Sequence, residues 1–348
     1  MGRILAYSAL VTKVRAMQAK LLTAKDYEAL TNSRSVVEAI SYLKSTASYE
    51  DIINQLDASL YHRRHVERIL IESLYDDYTR IYRFSGLEQR RILNTYMKRY
   101  EVDLINYCLR IVSNHYDMEF DMDYKKPFFE RYSDIDINAV LTSTNVDELI
   151  ANLKNTDYHD ILQKIRESGN DSLFEYDLAM VLQHANEVWH RRRRKMKGRE
   201  FQAFTDEVGS QMDLMNLQWI YRAKKHYHLL PPDIFSLVIP VQYHIKAEEF
   251  KALVESPSLE EFNTLLLNTY YAKKFKYQSG DNLEHLMQTC LRHLYLTQRR
   301  LNPYSISSVQ TYFFLKEQEV YNIITILECI RYGLTQREIY GYLGGSLQ

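Results

Sequence analysis

Ser35-Val36-Val37-Glu38, followed by Leu43 and Tyr49, is a helix start that the chain writes three times. It returns as Asn145-Val146-Asp147-Glu148 with Leu153 and Tyr158, and as Ser258-Leu259-Glu260-Glu261 with Leu266 and Tyr271. The copies lie about 110 residues apart, a period that points to a repeated supersecondary unit. Each copy reads as a capping box. A short polar residue takes a free backbone N–H, and a carboxylate three residues on reaches back. The expected fold is therefore all-α, with three similar helical-bundle modules at residues 1–115, 116–225 and 226–348.

A second pattern recurs in the same order. The last long helix of each module carries an acid, two residues, then asparagine: Asp103 and Asn106, Asp213 and Asn216, Glu319 and Asn322. Residues three apart share a helical face. Such pairs have two readings, a constellation of three carboxylates for a metal or proton relay, or anchors that bond the free helix ends of an adjacent hairpin. One carboxylate per module does not by itself make a site. The pairs are therefore read as structural, together with Glu38, Glu148, Glu261 and the tyrosines Tyr49, Tyr158 and Tyr271.

Composition agrees with helices. Only 6 prolines and 10 glycines occur in 348 residues, and both weaken helix interiors. The 29 tyrosines suit a fold with many half-buried seams, since the ring packs while the hydroxyl finds water or a partner. With 44 basic against 45 acidic residues, no global field argues for nucleic acid or an anionic membrane. Cys108, Cys290 and Cys329 lack metal-type spacing, and their odd number suits a reducing compartment. Basic residues interrupt the apolar pattern of the first 22 residues, which excludes a signal peptide there. The most apolar run, Leu229 to Val241, contains three prolines and is too short to span a bilayer. A soluble, cytoplasmic chain is expected.

Periodicity places the helices. Leu5, Leu10, Val14, Met17 and Leu21 mark an amphipathic opening helix. A hairpin around Phe84-Ser85-Gly86 is predicted to join helices over His65–Arg83 and Leu87–Val112. The second of these carries the stripe Leu93, Met97, Tyr100, Leu104, Cys108 and Ile111. An aspartate-rich connector, His115 to Asp136, leads to a second hairpin from Ser172 to Lys224. The third module opens after Pro231-Pro232 and ends in helices over Asn282–Gln298, Ser305–Tyr332 and Gln336–Leu343. Pro303 suits a helix entry, and Gly333 a helix C-terminus.

The run Arg191, Arg192, Arg193, Arg194 and Lys195 is the most extreme local charge. It reads as the solvated tip between two helices. Its functional alternative is a grip on an acidic protein or on RNA, in which case the chain is a binding scaffold. Aromatic residues are sparse around it, which weighs against nucleic acid. His62 and His65, one turn apart, have no third ligand at a useful spacing, and His226 and His228 sit in a connector. No Gly-rich phosphate loop, H-E-x-x-H helix or G-x-S-x-G elbow is present. No catalytic, cofactor-binding or metal-ligating residue is assigned.

Near the C-terminus stand Asn302-Pro303-Tyr304-Ser305, then Tyr312 to Ile323 (YFFLKEQEVYNI), then Arg331-Tyr332-Gly333-Leu334. This segment resembles the close of the C subunit of archaeal and bacterial A/V-type rotary ATPases, the counterpart of the d subunit in eukaryotic V-ATPases. The opening Tyr7 to Met17 (YSALVTKVRAM) is similar to that family's first helix. The resemblance covers essentially the whole chain and rests on helix-packing signals, not on catalytic signatures. It implies a funnel of three bundles about a pseudo-threefold axis, whose narrow end meets the membrane c-ring and whose mouth holds the D and F subunits of the central stalk. It further implies a non-catalytic rotor subunit without a cofactor, peripheral on the cytoplasmic face, and no homo-oligomer. The run at Arg191–Lys195 is heavier than the family pattern, and no interface residue is fixed by a motif.

Overall fold

A computed structural model describes residues 2–54, 63–114, 122–169, 173–278 and 282–343. His62, the first part of the aspartate-rich connector and Ser172 lie outside the described residues, as do the side chains of Arg191, Arg192 and Lys195. Every regular element among the described residues is helical. The chain is all-α.

In chain order the first helices are α1 (Gly2–Gln18), α2 (Ala24–Thr31), α3 (Val36–Lys44), α4 (Glu50–Ile53) and α5 (Arg63–Arg83). Next come α6 (Leu87–Ser113), α7 (Lys126–Tyr132), α8 (Ile137–Leu141), α9 (Val146–Asn152), α10 (His159–Ser168) and α11 (Leu173–Asn186). A π-helical turn at Glu187–Arg192 and a 3-10 turn at Arg193–Lys195 lead to α12 (Gly198–Arg222). The remainder is α13 (Pro231–Leu237), α14 (Ala247–Glu255), α15 (Leu259–Asn268), α16 (Tyr270–Lys274), α17 (Leu283–Leu301), α18 (Ile306–Arg331) and α19 (Gln336–Leu343).

These helices gather into two compact units, one from residues 1–86 and 270–348, the other from residues 87–269. The predicted helices on either side of Gly86 form at the expected positions, but each belongs to a different unit.

In the discontinuous unit α18 is the spine, packed against α1, α2, α3, α5, α17 and α19. The core joins Leu30, Ile40, Leu43 and Ile53 from the N-terminal helices to Ile323, Ile326 and Ile339 near the other end of the chain. On α1, Leu10, Val14 and Met17 are buried as the periodicity requires, whereas Leu5 is 76% exposed. Gly333 takes the left-handed conformation after α18 at φ 72°. The Leu334 N–H then bonds back to the Cys329 carbonyl at 3.0 Å, which closes the helix end.

In the continuous unit α6 packs against α8, α9 and α11. Its stripe Leu93, Met97, Tyr100, Leu104 and Cys108 is buried, and Ile111 is half-buried. A second cluster gathers Ala185, Val188, Phe204, Val208 and Met212 with Ile239 and Val241 from the irregular segment after α13. That segment lies tightly on α12. A Cβ on Gly209 would stand 2.6 Å from the Tyr243 ring, so only glycine lets the two meet.

Candidate functional site

The three helix starts form where the sequence places them, with one difference of geometry. Ser35, Asn145 and Ser258 each cap their helix by accepting the backbone N–H of Glu38, Glu148 and Glu261, at 3.2, 2.9 and 3.1 Å. The carboxylates of Glu38 and Glu148 reach one residue further back than a capping box requires. Glu38 accepts the Arg34 N–H at 2.8 Å, and Glu148 accepts both the N–H and the hydroxyl of Thr144 at 2.8 Å. Those Thr144 bonds, the backbone one first, hold the Glu148 carboxyl below its ordinary value. Glu261 stands on α15, and its charge favours the ammonium of Lys224. That ammonium in turn donates to the carbonyls of Val254 and Ser256 at 2.7 and 2.6 Å, closing the end of α14.

The recurring tyrosines go furthest inside. Tyr49, Tyr158 and Tyr271 are all buried. Tyr49 stands at the start of α4 and donates its hydroxyl to Glu319 at 2.7 Å. Glu319 also accepts the Leu22 N–H at 2.5 Å and the Lys316 ammonium at 3.0 Å. Lys316 returns to the Tyr49 hydroxyl at 2.8 Å and lies over its ring, 4.2 Å from the centroid. Lys316 and Glu319 expose only 4% and 3% of their side chains, so water offers no alternative partner. Burial, then the Glu319 charge and its hydrogen bond, push the Tyr49 phenol well above its ordinary value, and it stays a donor at any physiological pH.

The same three side chains recur in the other unit. Tyr158, at the start of α10, donates to Glu101 at 2.6 Å. Glu101 accepts the Ser133 hydroxyl at 2.6 Å and lies 3.8 Å from the Lys98 ammonium. Lys98 sits over the Tyr158 ring at 5.6 Å and reaches Asp157 at 3.1 Å. Burial pulls the Lys98 pKa down, but Glu101 and Asp157 outweigh it and the net shift is upward.

Lys98, Lys316 and Glu101 were not among the residues that the sequence singled out. A lysine three residues before each glutamate, on a helix with an apolar stripe, is the local signal that marks them.

The acid–asparagine pairs serve separate ends. Asp103 is exposed on α6, where its charge favours the buried Lys125 ammonium. Asn106 donates to Asp177. Asp213 is 1% exposed and accepts three successive backbone N–H groups, from Tyr243, His244 and Ile245, at 3.0, 2.7 and 3.1 Å. Asn216 brackets the Ile239 backbone, donating to its carbonyl at 2.9 Å and accepting its N–H at 2.8 Å. Together they satisfy the polar backbone of the irregular segment, as buried amides demand. Asn322 bonds the Tyr27 hydroxyl, whose pKa burial raises. Among the described residues no group of three His, Cys, Asp or Glu is placed to hold a metal ion.

Of the basic run, Arg193 is engaged within the protein. Its guanidinium lies 4.1 Å from the Trp189 ring centre and 5.2 Å from that of Phe201, while Arg194 is exposed. His65 lies on α5, His226 lies in a π-helical turn, and His228 closes that turn in the left-handed conformation. Cys108, Cys290 and Cys329 are buried free thiols, the first two pushed up to about 12 by burial. No helix among the described residues is long and apolar enough to cross a membrane.

What this arrangement offers is cross-linking between segments far apart in sequence. Several known proteins of matching extent share a name. An A-type ATP synthase C subunit from Methanosarcina mazei is 23% identical over 346 residues, covering 96% of this chain and 91% of that protein. Its namesake from Archaeoglobus fulgidus is 22% identical over 342 residues, with 97% and 96% coverage. A third, from Pyrococcus abyssi, is 24% identical over 347 residues, with 97% and 90% coverage. The ATP synthase (C/AC39) subunit profile matches residues 10–342. With that match running from α1 into α19, the chain belongs to the ATP synthase (C/AC39) subunit family, whose members are accessory subunits of a rotary ATPase and not its catalytic unit.

Proposed function

We propose that this chain is the rotor subunit that couples the central stalk, built from the D and F subunits, to the membrane c-ring of an A/V-type ATPase, on the cytoplasmic face. The observation that carries the reading is the match to A-type ATP synthase C subunits, which spans nearly the whole of both chains. The physics supports it. An adaptor under torque needs distant segments to move as one. The Lys316–Glu319–Tyr49 cluster ties the N-terminal helices to α18 through a buried ion pair, an arrangement that holds register more than it adds stability.

The two clusters also support a chain built from three repeated modules. In each, the tyrosine of one module meets the glutamate of the module before it in cyclic order. Tyr158 of residues 116–225 joins Glu101 of residues 1–115, and Tyr49 of residues 1–115 joins Glu319 of residues 226–348. A rotary complex isolated from membranes of the source organism tests the proposal. The chain is expected at one copy per complex and in one-to-one association with isolated D–F stalk. A complex lacking it, or no association with either stalk or ring, refutes the role.

A further inference from the structure

A cleft of about 670 Å³ opens in the discontinuous unit between the ends of α1 and α17. Arg15, Arg299, Arg300 and His293 line it, over apolar walls from Val14, Leu296 and Pro303. Its size lies within the range of small-ligand sites, roughly 300–1,000 Å³. None of the described lining residues is acidic. Arg15 leans on the Tyr304 ring at 5.5 Å, and none of the three arginines has a carboxylate partner among the described residues.

The net charge of the chain is only −1, and arginines elsewhere in it, Arg68, Arg91 and Arg166 among them, stand beside carboxylates. Arg15 and the pair Arg299 and Arg300 occupy last turns of their helices, where a cation offsets the end of the helix dipole. Each helix end is equivalent to about half a negative charge. Two such ends leave three guanidiniums with an excess near two positive charges. Burial and the neighbouring Arg15 hold the Arg299 guanidinium below its ordinary value, a sign of like charges brought together. Burial, Lys274 and Arg300 do the same to His293, which favours its neutral, hydrogen-bonding form.

We infer that this cleft is a binding site for a phosphate-bearing dianion, held by the forked guanidiniums of Arg299 and Arg300 with Arg15 opposite and an apolar wall for the remainder of the ligand. Guanidinium forks match phosphate oxygens two at a time, and an unpaired cluster on a nearly neutral protein singles out an anion of that charge. A free phosphate compound and a phospholipid headgroup present the same chemistry. The proposal goes beyond the coupling role and does not depend on it.

The test is calorimetric titration of the full-length chain with inorganic pyrophosphate, alongside flotation with vesicles containing phosphatidic acid. Either probe is expected to bind at one site, with affinity falling as salt rises. The Arg299→Gln/Arg300→Gln variant should weaken that binding about a hundredfold, and Arg300→Gln alone about tenfold, the loss expected for one charge-assisted bond each. Arg194→Gln, on the basic run of the other unit, should bind as the parent does. Pyrophosphate binding without flotation assigns the site to free phosphates; flotation without pyrophosphate binding assigns it to headgroups. Binding of neither probe overturns the proposal, and so does binding that Arg300→Gln leaves unchanged. A thermal midpoint measured on each variant separates lost binding from lost folding.

Discussion

At the scale of single residues, the buried ion pairs are where this fold has most to lose. Glu319 holds a tyrosine hydroxyl, a lysine and the Leu22 amide at once. Glu319→Ala removes the carboxylate paired with the buried Lys316 ammonium, and should cost about 3–5 kcal/mol in urea unfolding. The double variant Lys316→Met/Glu319→Leu removes both charges and should cost clearly less than the single one. A double variant as unstable as Glu319→Ala would show that the network, not the lost charge pairing, sets the loss. His184 gives a second test. Burial first, then Arg99 and Lys98, hold its imidazole down to about 4. The unfolded chain then binds a proton that the folded chain refuses between about pH 6.5 and pH 4. Stability is full above about 6.5, falls with acidity across that window, and should lose about 2–3 kcal/mol. His184→Phe should flatten that part of the profile, measured as unfolding free energy against pH. The lysine three residues before each glutamate is a local signal, but the tyrosine partnerships were not legible in the chain. Tyr49 and Glu319 stand too far apart for any local pattern to join them, and on α6 the sequence singled out Asp103 and not Glu101. Two carboxylates so close on α6 differ only in which face the packing buries, and that is decided by residues on other helices.

At the scale of elements, local signals were reliable because helix ends are local objects. Caps at Ser35, Asn145 and Ser258, the stop at Gly333 and the span of α19 follow from short-range chemistry alone. The carboxylates that reach one residue past the cap were not anticipated, since that choice depends on how the preceding turn enters the helix. Asn145→Ala and Ser258→Ala should each lower stability by about 1 kcal/mol, and Asn145→Asp should be near neutral. Chemical denaturation of the three variants checks this, and equal losses for Ala and Asp would show that the side-chain oxygen is not the capping group. The pairing of helices was less legible. The turn at Phe84 to Gly86 reads as a hairpin, yet the boundary between compact units falls there. Nothing in a short turn records which neighbours a helix will bury its stripe against.

At the scale of the molecule, residues 87–269 form one continuous compact unit with the Lys98–Glu101–Tyr158 cluster inside it. Expressed alone, that segment should fold cooperatively, keep its helical circular dichroism and show the His184 dependence on pH. A fragment that is unfolded at neutral pH would mean the unit depends on the rest of the chain. Removal of residues from α18 onward should instead unfold what remains of the discontinuous unit, because its spine and the partner of Tyr49 leave together.

That discontinuity bears on how the protein is made. A ribosome releases α1 to α5 first, yet the helix that completes their core, α18, emerges only after the whole of residues 87–269. At ordinary elongation rates the interval is on the order of tens of seconds. Throughout it, Leu30, Ile40 and Leu43 wait without the isoleucines that finally cover them. The middle of the nascent chain is thus folded before its beginning, and a force-sensitive arrest sequence placed along the gene should register the first pulling event from the middle of the protein.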